Sequence, residues 1–224
     1  MKIDMKKVLV IAPHPDDETL GVGGTIKKLT SNGVRVSVLV VAGHTPPNYS
    51  EKSYQKTISE SLKAFKILGV NEYKFLNYPA TMLNEIPTVK LNESIYKFLL
   101  KINPDTVFIP FSDRHIDHRI IFDSCVVACR PIGKRFPKNV LMYETLSETH
   151  WNVPGVEPIF APNFFIDVGK YLDSKIRALK IYKSQINKDT PSRSANAAKS
   201  LAEFRGSQNG LKFAEAFQVL RIIN

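Results

Sequence analysis

The chain has 224 residues, 43% of them hydrophobic and 23% charged, a globular composition long enough to bury one sizeable core. Thirty-one basic residues against twenty-one acidic ones leave a net charge of +10, which fits either a plain basic surface or attraction to an anionic substrate. No apolar run approaches the roughly 20 residues needed to cross a bilayer, and two cysteines are too few for a disulfide framework.

Met1 to Lys7 is basic, but the apolar stretch behind it stops at Pro13 and acids follow. That pattern predicts a first strand, Lys7 to Ala12, instead of a secretory signal, and with it a cytoplasmic location. A helix is expected over Glu18 to Ser31, ending at Asn32-Gly33. Arg35 to Ala42 is a β-branched run typical of a strand buried on both faces. Gly43 to Ser53, with Pro46-Pro47, reads as a long polar loop. Apolar residues at helical spacing (Ile58, Leu62, Phe65, Leu68) give a helix over Tyr54 to Leu68, closed by Gly69.

A short strand, Tyr73 to Leu76, precedes a helix over Val89 to Ile102. Asn103-Pro104-Asp105 then breaks the chain before a strand over Thr106 to Phe111. His115 to Cys129 is a predicted helix, with Cys125 and Cys129 four apart on its core face. The following loop carries Arg130, Lys134, Arg135 and Lys138 without the aromatic interleaving of a single-strand nucleic-acid binder, so nucleic acid is not an expected partner. Val140 to Glu144 and Phe164 to Val168 are predicted strands. Helices over Lys170 to Gln185 and Pro191 to Phe204 and an apolar segment, Phe217 to Ile223, complete the chain. Strands alternating with helices predict a single α/β domain spanning 1–224: a Rossmann-like, mostly parallel sheet with helices on both faces. Sites in such sheets form beyond the carboxyl ends of the strands.

Two clusters lie at such ends. Pro13-His14-Pro15-Asp16-Asp17-Glu18 follows the first strand, and His115-Ile116-Asp117-His118 follows the strand ending at Phe111. A dense carboxylate group repels itself without a cation nearby. Catalytic zinc takes three protein ligands and keeps a position for water. His14 and Asp17 supply two of them, and the His115/His118 pair, three apart on a helix, offers the third. Water on such an ion ionises near neutral pH, leaving a spare carboxylate to act as general base. Another divalent first-row ion would suit the same donors. His-Pro-Asp-Asp-Glu read alone could simply cap a helix, but two clusters at two central strand ends argue for a metal hydrolase. His44 and His150 read as ordinary loop histidines. Gly21, Gly23 and Gly24 lack the spacing of a dinucleotide fingerprint and read as sites of close helix packing.

His14-Pro15-Asp16-Asp17-Glu18, Gly21-x-Gly23-Gly24-Thr25 and His115-x-Asp117-His118 together resemble the PIG-L (LmbE-like) family of zinc-dependent de-N-acetylases. Glu60 with Ala64 and Leu68-Gly69-Val70, Tyr182-x-Ser184-Gln185, Arg205-Gly206 and Ala214-Glu215-Ala216-Phe217 are further echoes, so the resemblance covers nearly the whole chain. It implies a Rossmann-like hydrolase that deacetylates an N-acetylated amino sugar; the +10 charge and the long loop Gly43 to Ser53 add the expectation of an anionic, phosphate- or nucleotide-bearing conjugate. It also implies that His14, Asp17 and His118 hold zinc and that Asp16 is the general base. A protonated His115 would steady the oxyanion, and Asp117 would orient its imidazole. A homo-oligomer is a further expectation. Two positions depart from the family pattern. Asp113 stands where some members have tyrosine, and Thr57 where many have arginine. The residues that contact the substrate are therefore not transferable. An amidase for a larger acyl group and a non-catalytic metal-binding module remain as alternatives.

Overall fold

The computed structural model describes residues 4–186 and 191–224; the first three residues of the basic start lie outside it. Seven strands form one sheet: β1 (Lys7–Ala12), β2 (Arg35–Gly43), β3 (Glu72–Pro79), β4 (Thr106–Pro110), β5 (Asn139–Tyr143), β6 (Phe164–Asp167) and β7 (Ala214–Arg221). Their order is β3-β2-β1-β4-β5-β7-β6. β1 to β5 pair in parallel, and only β7 runs against its neighbours.

The strand alternation sorts two cores. Val8, Val10 and Ala12 of β1 with Val36, Val38 and Val40 of β2 face one side. There they meet α1 (Asp17–Ser31), α2 (Glu51–Leu68) and α5 (Leu172–Leu179). Leu9, Ile11, Leu39 and Val41 face the other side, against α3 (Thr88–Ile102) and α4 (Ile116–Ala128). Cys125 and Cys129 are buried free thiols in that second core. α6 (Ala195–Ser207) closes over Leu20, Leu179 and Val168 through Ala198 and Ala202. No helix among the described residues is long and apolar enough to cross a membrane.

Chain order reverses between β1 and β4: β1 leads outward to β2, while β4 lies on its other flank. In parallel sheets this switch point opens a crevice at the carboxyl ends of the two strands. Both motif clusters emerge there.

Among the predicted boundaries that move, three have an identifiable cause. α2 starts at Glu51 because Ser50 caps it, its hydroxyl accepting the Ser53 amide at 3.2 Å, so the preceding loop is shorter than expected. α5 stops at Leu179, not Gln185. Past that point tertiary partners bend the chain: Tyr182 Oη donates to Glu18 (2.6 Å), and the Ser184 hydroxyl and amide donate to Glu60. The last strand begins at Ala214 because Glu215, on its buried side, accepts from the amides of Gly24 (2.8 Å) and Thr25 (2.7 Å) and from Lys175 Nζ (2.6 Å).

The glycines of α1 are packing residues. A Cβ at Gly21 would lie 2.2 Å from the Tyr143 ring and 2.9 Å from the Glu144 carbonyl. Tyr143 cannot yield, because it is fully buried and its hydroxyl donates to the Ile11 carbonyl at 2.8 Å. Gly21→Ala is therefore expected to destabilise the protein by about 1–3 kcal/mol through overpacking. Denaturant unfolding checks this, and an unchanged midpoint would contradict the close approach.

Candidate metal centre

β1 ends at Ala12, and Pro13 to Asp16 carry the chain into α1. Asp16 occupies the N-cap position with φ 109° and ψ −26°, an unusual conformation for a residue with a Cβ, and its side chain caps nothing. Backbone held in such a region marks sites where surrounding structure overrides local preference. The turn is fastened by His14 N donating to Asp17 Oδ2 (2.9 Å) and by Leu20 N donating to the Asp16 carbonyl (2.8 Å). As a result both Asp16 carboxylate oxygens are buried without a hydrogen-bond partner among the described residues. Helix capping does not account for this carboxylate.

From β4 the chain reaches α4 through Asp113 and His115. His115 is the N-cap, and its Nδ1 accepts the Asp117 amide at 3.1 Å. In the neutral imidazole that places the proton on Nε2. The three histidines meet across the crevice. Ring centroids are 4.6 Å apart for His14 and His115, 5.5 Å for His14 and His118, and 5.0 Å for His115 and His118. One nitrogen from each lies within 4.8 Å of the others.

Asp17 Oδ2 lies 3.3 Å from His14 Nδ1 and 3.3 Å from His118 Nε2. His118 Nε2 is nonetheless buried with no properly aligned hydrogen bond, as is Asp17 Oδ1. Buried polar atoms rarely remain unpaired. Two imidazole lone pairs and a carboxylate turned on one point are the donor set of a divalent cation.

The remote nitrogen of each of these two rings is anchored to a carboxylate, which fixes the tautomer and aims the other nitrogen inward. His14 Nε2 donates to Asp117 Oδ2 (2.8 Å), which also accepts the Thr81 amide (2.7 Å). His118 Nδ1 donates to Asp113 (3.0 Å), whose carboxylate also accepts the Thr149 hydroxyl (2.8 Å) and the His115 amide (3.1 Å). The expectation that Asp117 orients His115 is corrected here. Its amide meets His115, while its carboxylate reaches across to His14. Asp113 and Thr149 were missed by the sequence analysis. Asp113 is an acid two residues before His115, a signal noticed there only as a departure; Thr149, 31 residues beyond His118, offers none.

Charge follows geometry. Burial works against a protonated His118, but Asp17 and Asp113 outweigh it and raise its pKa to about 10. Burial opposes Asp17 too, yet the nearby His118 and His14 imidazoles, His118 foremost, hold it well below the usual carboxylate range. Asp16 is pushed well above that range, chiefly by burial and further by Asp17 and Glu18, against the pull of Arg193. Arg193 Nη1 is 3.7 Å from Asp16 Oδ2 and is held by the Ser147 hydroxyl (2.9 Å) and Glu148 (3.0 Å). His115 falls to about 4 through burial and the charges of His14 and His118. The polypeptide thus favours a neutral His115 over the protonated one expected.

Of the remaining histidines, His150 Nε2 lies 3.3 Å from Glu144, which Arg205 grips with two hydrogen bonds (2.9 and 2.7 Å). His44 stands beside the crevice. Ala42 N donates to the Pro13 carbonyl at 2.8 Å, bringing the end of β2 next to His14.

A family model described as PIG-L, GlcNAc-PI de-N-acetylase, matches residues 9–129. The diacetylchitobiose deacetylase of Thermococcus kodakarensis is 29% identical, over 96% of this chain and 83% of that protein. A deacetylase of Escherichia coli, YaiS, described as uncharacterized, is 30% identical over 80% of this chain and 91% of its own. Among solved structures, the N,N'-diacetylchitobiose deacetylase from Pyrococcus horikoshii, complexed with an inhibitor, superposes with a TM-score of 0.77 at 26% identity, covering 97% of this chain and 84% of that one.

Proposed function

The chain belongs to the PIG-L family, and on that premise we propose that it is a metal-dependent hydrolase that removes the acetyl group from an N-acetylglucosamine-type amino sugar. Residues 1–224 act in this reading as one deacetylase domain. The observation that carries it is the convergence of His14, Asp17 and His118 on one point, with the buried Asp16 carboxylate next to Asp17 making no hydrogen bond among the described residues.

His14, Asp17 and His118 would hold the ion, and their two nitrogens and one oxygen suit zinc. His115 is the other nitrogen donor nearby. It is the weaker candidate, because its Nδ1 is engaged as a helix cap and, among the described residues, no carboxylate hydrogen-bonds to its ring. When bound, a divalent ion supplies Lewis-acid polarisation of the amide carbonyl and acidifies water.

The chain's own groups do the rest. Asp16 takes the proton from the attacking water and returns it to the departing amine. A carboxylate whose pKa is raised by burial holds a proton more readily than an ordinary aspartate, which suits it to taking one up and passing it on. His115 donates its Nε2 proton to the oxyanion that forms as the carbonyl carbon becomes tetrahedral. Asp117 and Asp113 keep His14 and His118 in position. The net charge of +10 favours a sugar conjugate that carries an anionic group.

Acetate release from N,N'-diacetylchitobiose and N-acetylglucosamine tests the reading. Release is expected to stop after exhaustive chelation and to return with added zinc. Release that survives complete metal removal would contradict it.

A further inference from the structure

The mechanism leaves one ordered group beside the crevice unused. His44 follows β2 directly and stacks on Tyr49, with ring centroids 4.2 Å apart and planes inclined by 23°. The loop that carries them is tied to the metal centre: Asn48 donates to the Thr81 hydroxyl at 3.2 Å, and the Thr81 amide donates to Asp117. His44 is close enough to His14 and Arg193 that, after burial, their charges lower its pKa, so the ring is neutral at pH 7.

A chain of hydrogen bonds fixes the direction of each polar atom here. The Ser184 hydroxyl gives its proton to Glu60, a buried carboxylate on α2. Its oxygen can then only accept, which makes the Gln185 amide atom 3.0 Å away the NH2 group. That same nitrogen lies 3.2 Å from His44 Nδ1, so Nδ1 accepts and the ring proton resides on Nε2. Two groups are left without a partner among the described residues: the Nε2 donor of His44 and the Oε1 acceptor of Gln185. A fixed donor and a fixed acceptor beside an aromatic face complement a pyranose, which offers neighbouring hydroxyls and an apolar C–H face. A few convergent polar groups on an otherwise apolar wall are also how small-molecule sites set orientation.

We propose that His44, Tyr49 and Gln185 form the sugar-recognition wall of this site, with His44 donating to one ring hydroxyl, Gln185 accepting from another, and the stacked rings packing against the sugar. The inference rests on the deacetylase reading and adds to it which residues select the sugar. These residues bind equally in the ground and transition states, so their loss raises KM and spares kcat.

The test measures acetate release from N,N'-diacetylchitobiose and N-acetylglucosamine by the zinc-loaded wild type and by His44→Ala, His44→Phe and Gln185→Leu. KM is expected to rise about tenfold for His44→Ala and Gln185→Leu, with kcat within about twofold of wild type. His44→Phe, which keeps the stack and loses the donor, falls between. Gln185→Leu carries the test if a His44 variant does not fold. Unchanged KM in the folded variants, or a fall in kcat at constant KM, would overturn the recognition role while leaving the deacetylase standing. A zinc-loaded wild type that releases no acetate from either sugar would remove the deacetylase reading and this inference with it.

Discussion

Asp16→Asn is expected to lower kcat by about 10²- to 10⁴-fold, the usual contribution of a positioned general base, while the protein keeps its metal and its fold. Asparagine is the informative replacement. It tolerates positive φ better than other non-glycine residues, and Asp16 sits at φ 109°. No hydrogen bond is lost either, since neither carboxylate oxygen has a partner among the described residues. The substitution gives up the contact with Arg193 together with the repulsion from Asp17 and Glu18, so thermal stability should change little. Steady-state kinetics with metal analysis of the same sample decide the matter. Equal activity in wild type and variant would dismiss Asp16 as the base.

Asp113→Ala is expected to weaken metal affinity by about 10- to 100-fold, the typical effect of removing a carboxylate that orients a metal-binding histidine. The substitution frees the His118 ring to turn and leaves Nδ1 without its acceptor. Metal binding also has a defined pH dependence. A ligand imidazole must be neutral, and His118, with its pKa raised to about 10, holds a proton at pH 7 that the ion must displace. Affinity should therefore climb as pH rises from 7 and level off near pH 10, and uptake at pH 7 should release a proton. Calorimetry in buffers of different ionisation enthalpy measures that release. Affinity that is flat between pH 7 and 9 would show that His118 is not the proton-bearing ligand.

The parts of this arrangement that could be read from sequence are those written locally. The β-branched run of β2 and the apolar runs of β1 and β4 announce buried parallel strands, and the two acid- and histidine-rich motifs stand out at the ends of β1 and β4 before any coordinate is known. What could not be read depends on partners far apart in the chain. α5 ends early because Tyr182 and Ser184 answer to Glu18 and Glu60. The placement of β7 brings Glu215 onto α1 across 191 residues. The role of Asp117 was misassigned because spacing on a helix suggests neighbours on the same helix, whereas its carboxylate bonds to His14, 103 residues away. Arg193 carried no signal at all. Only folding brings it within 3.7 Å of Asp16. The C-terminal echoes of the family pattern turn out to brace the scaffold, Arg205 on Glu144 and Glu215 on Lys175.

The most direct measurement is anomalous diffraction at the zinc edge from crystals of the zinc-loaded protein. The expected result is a single strong peak within about 2.0–2.2 Å of His14 Nδ1, an Asp17 carboxylate oxygen and His118 Nε2, with Asp16 beside it and uncoordinated. A peak ligated by His115 in place of Asp17, or one placed away from these side chains altogether, would contradict the assignment.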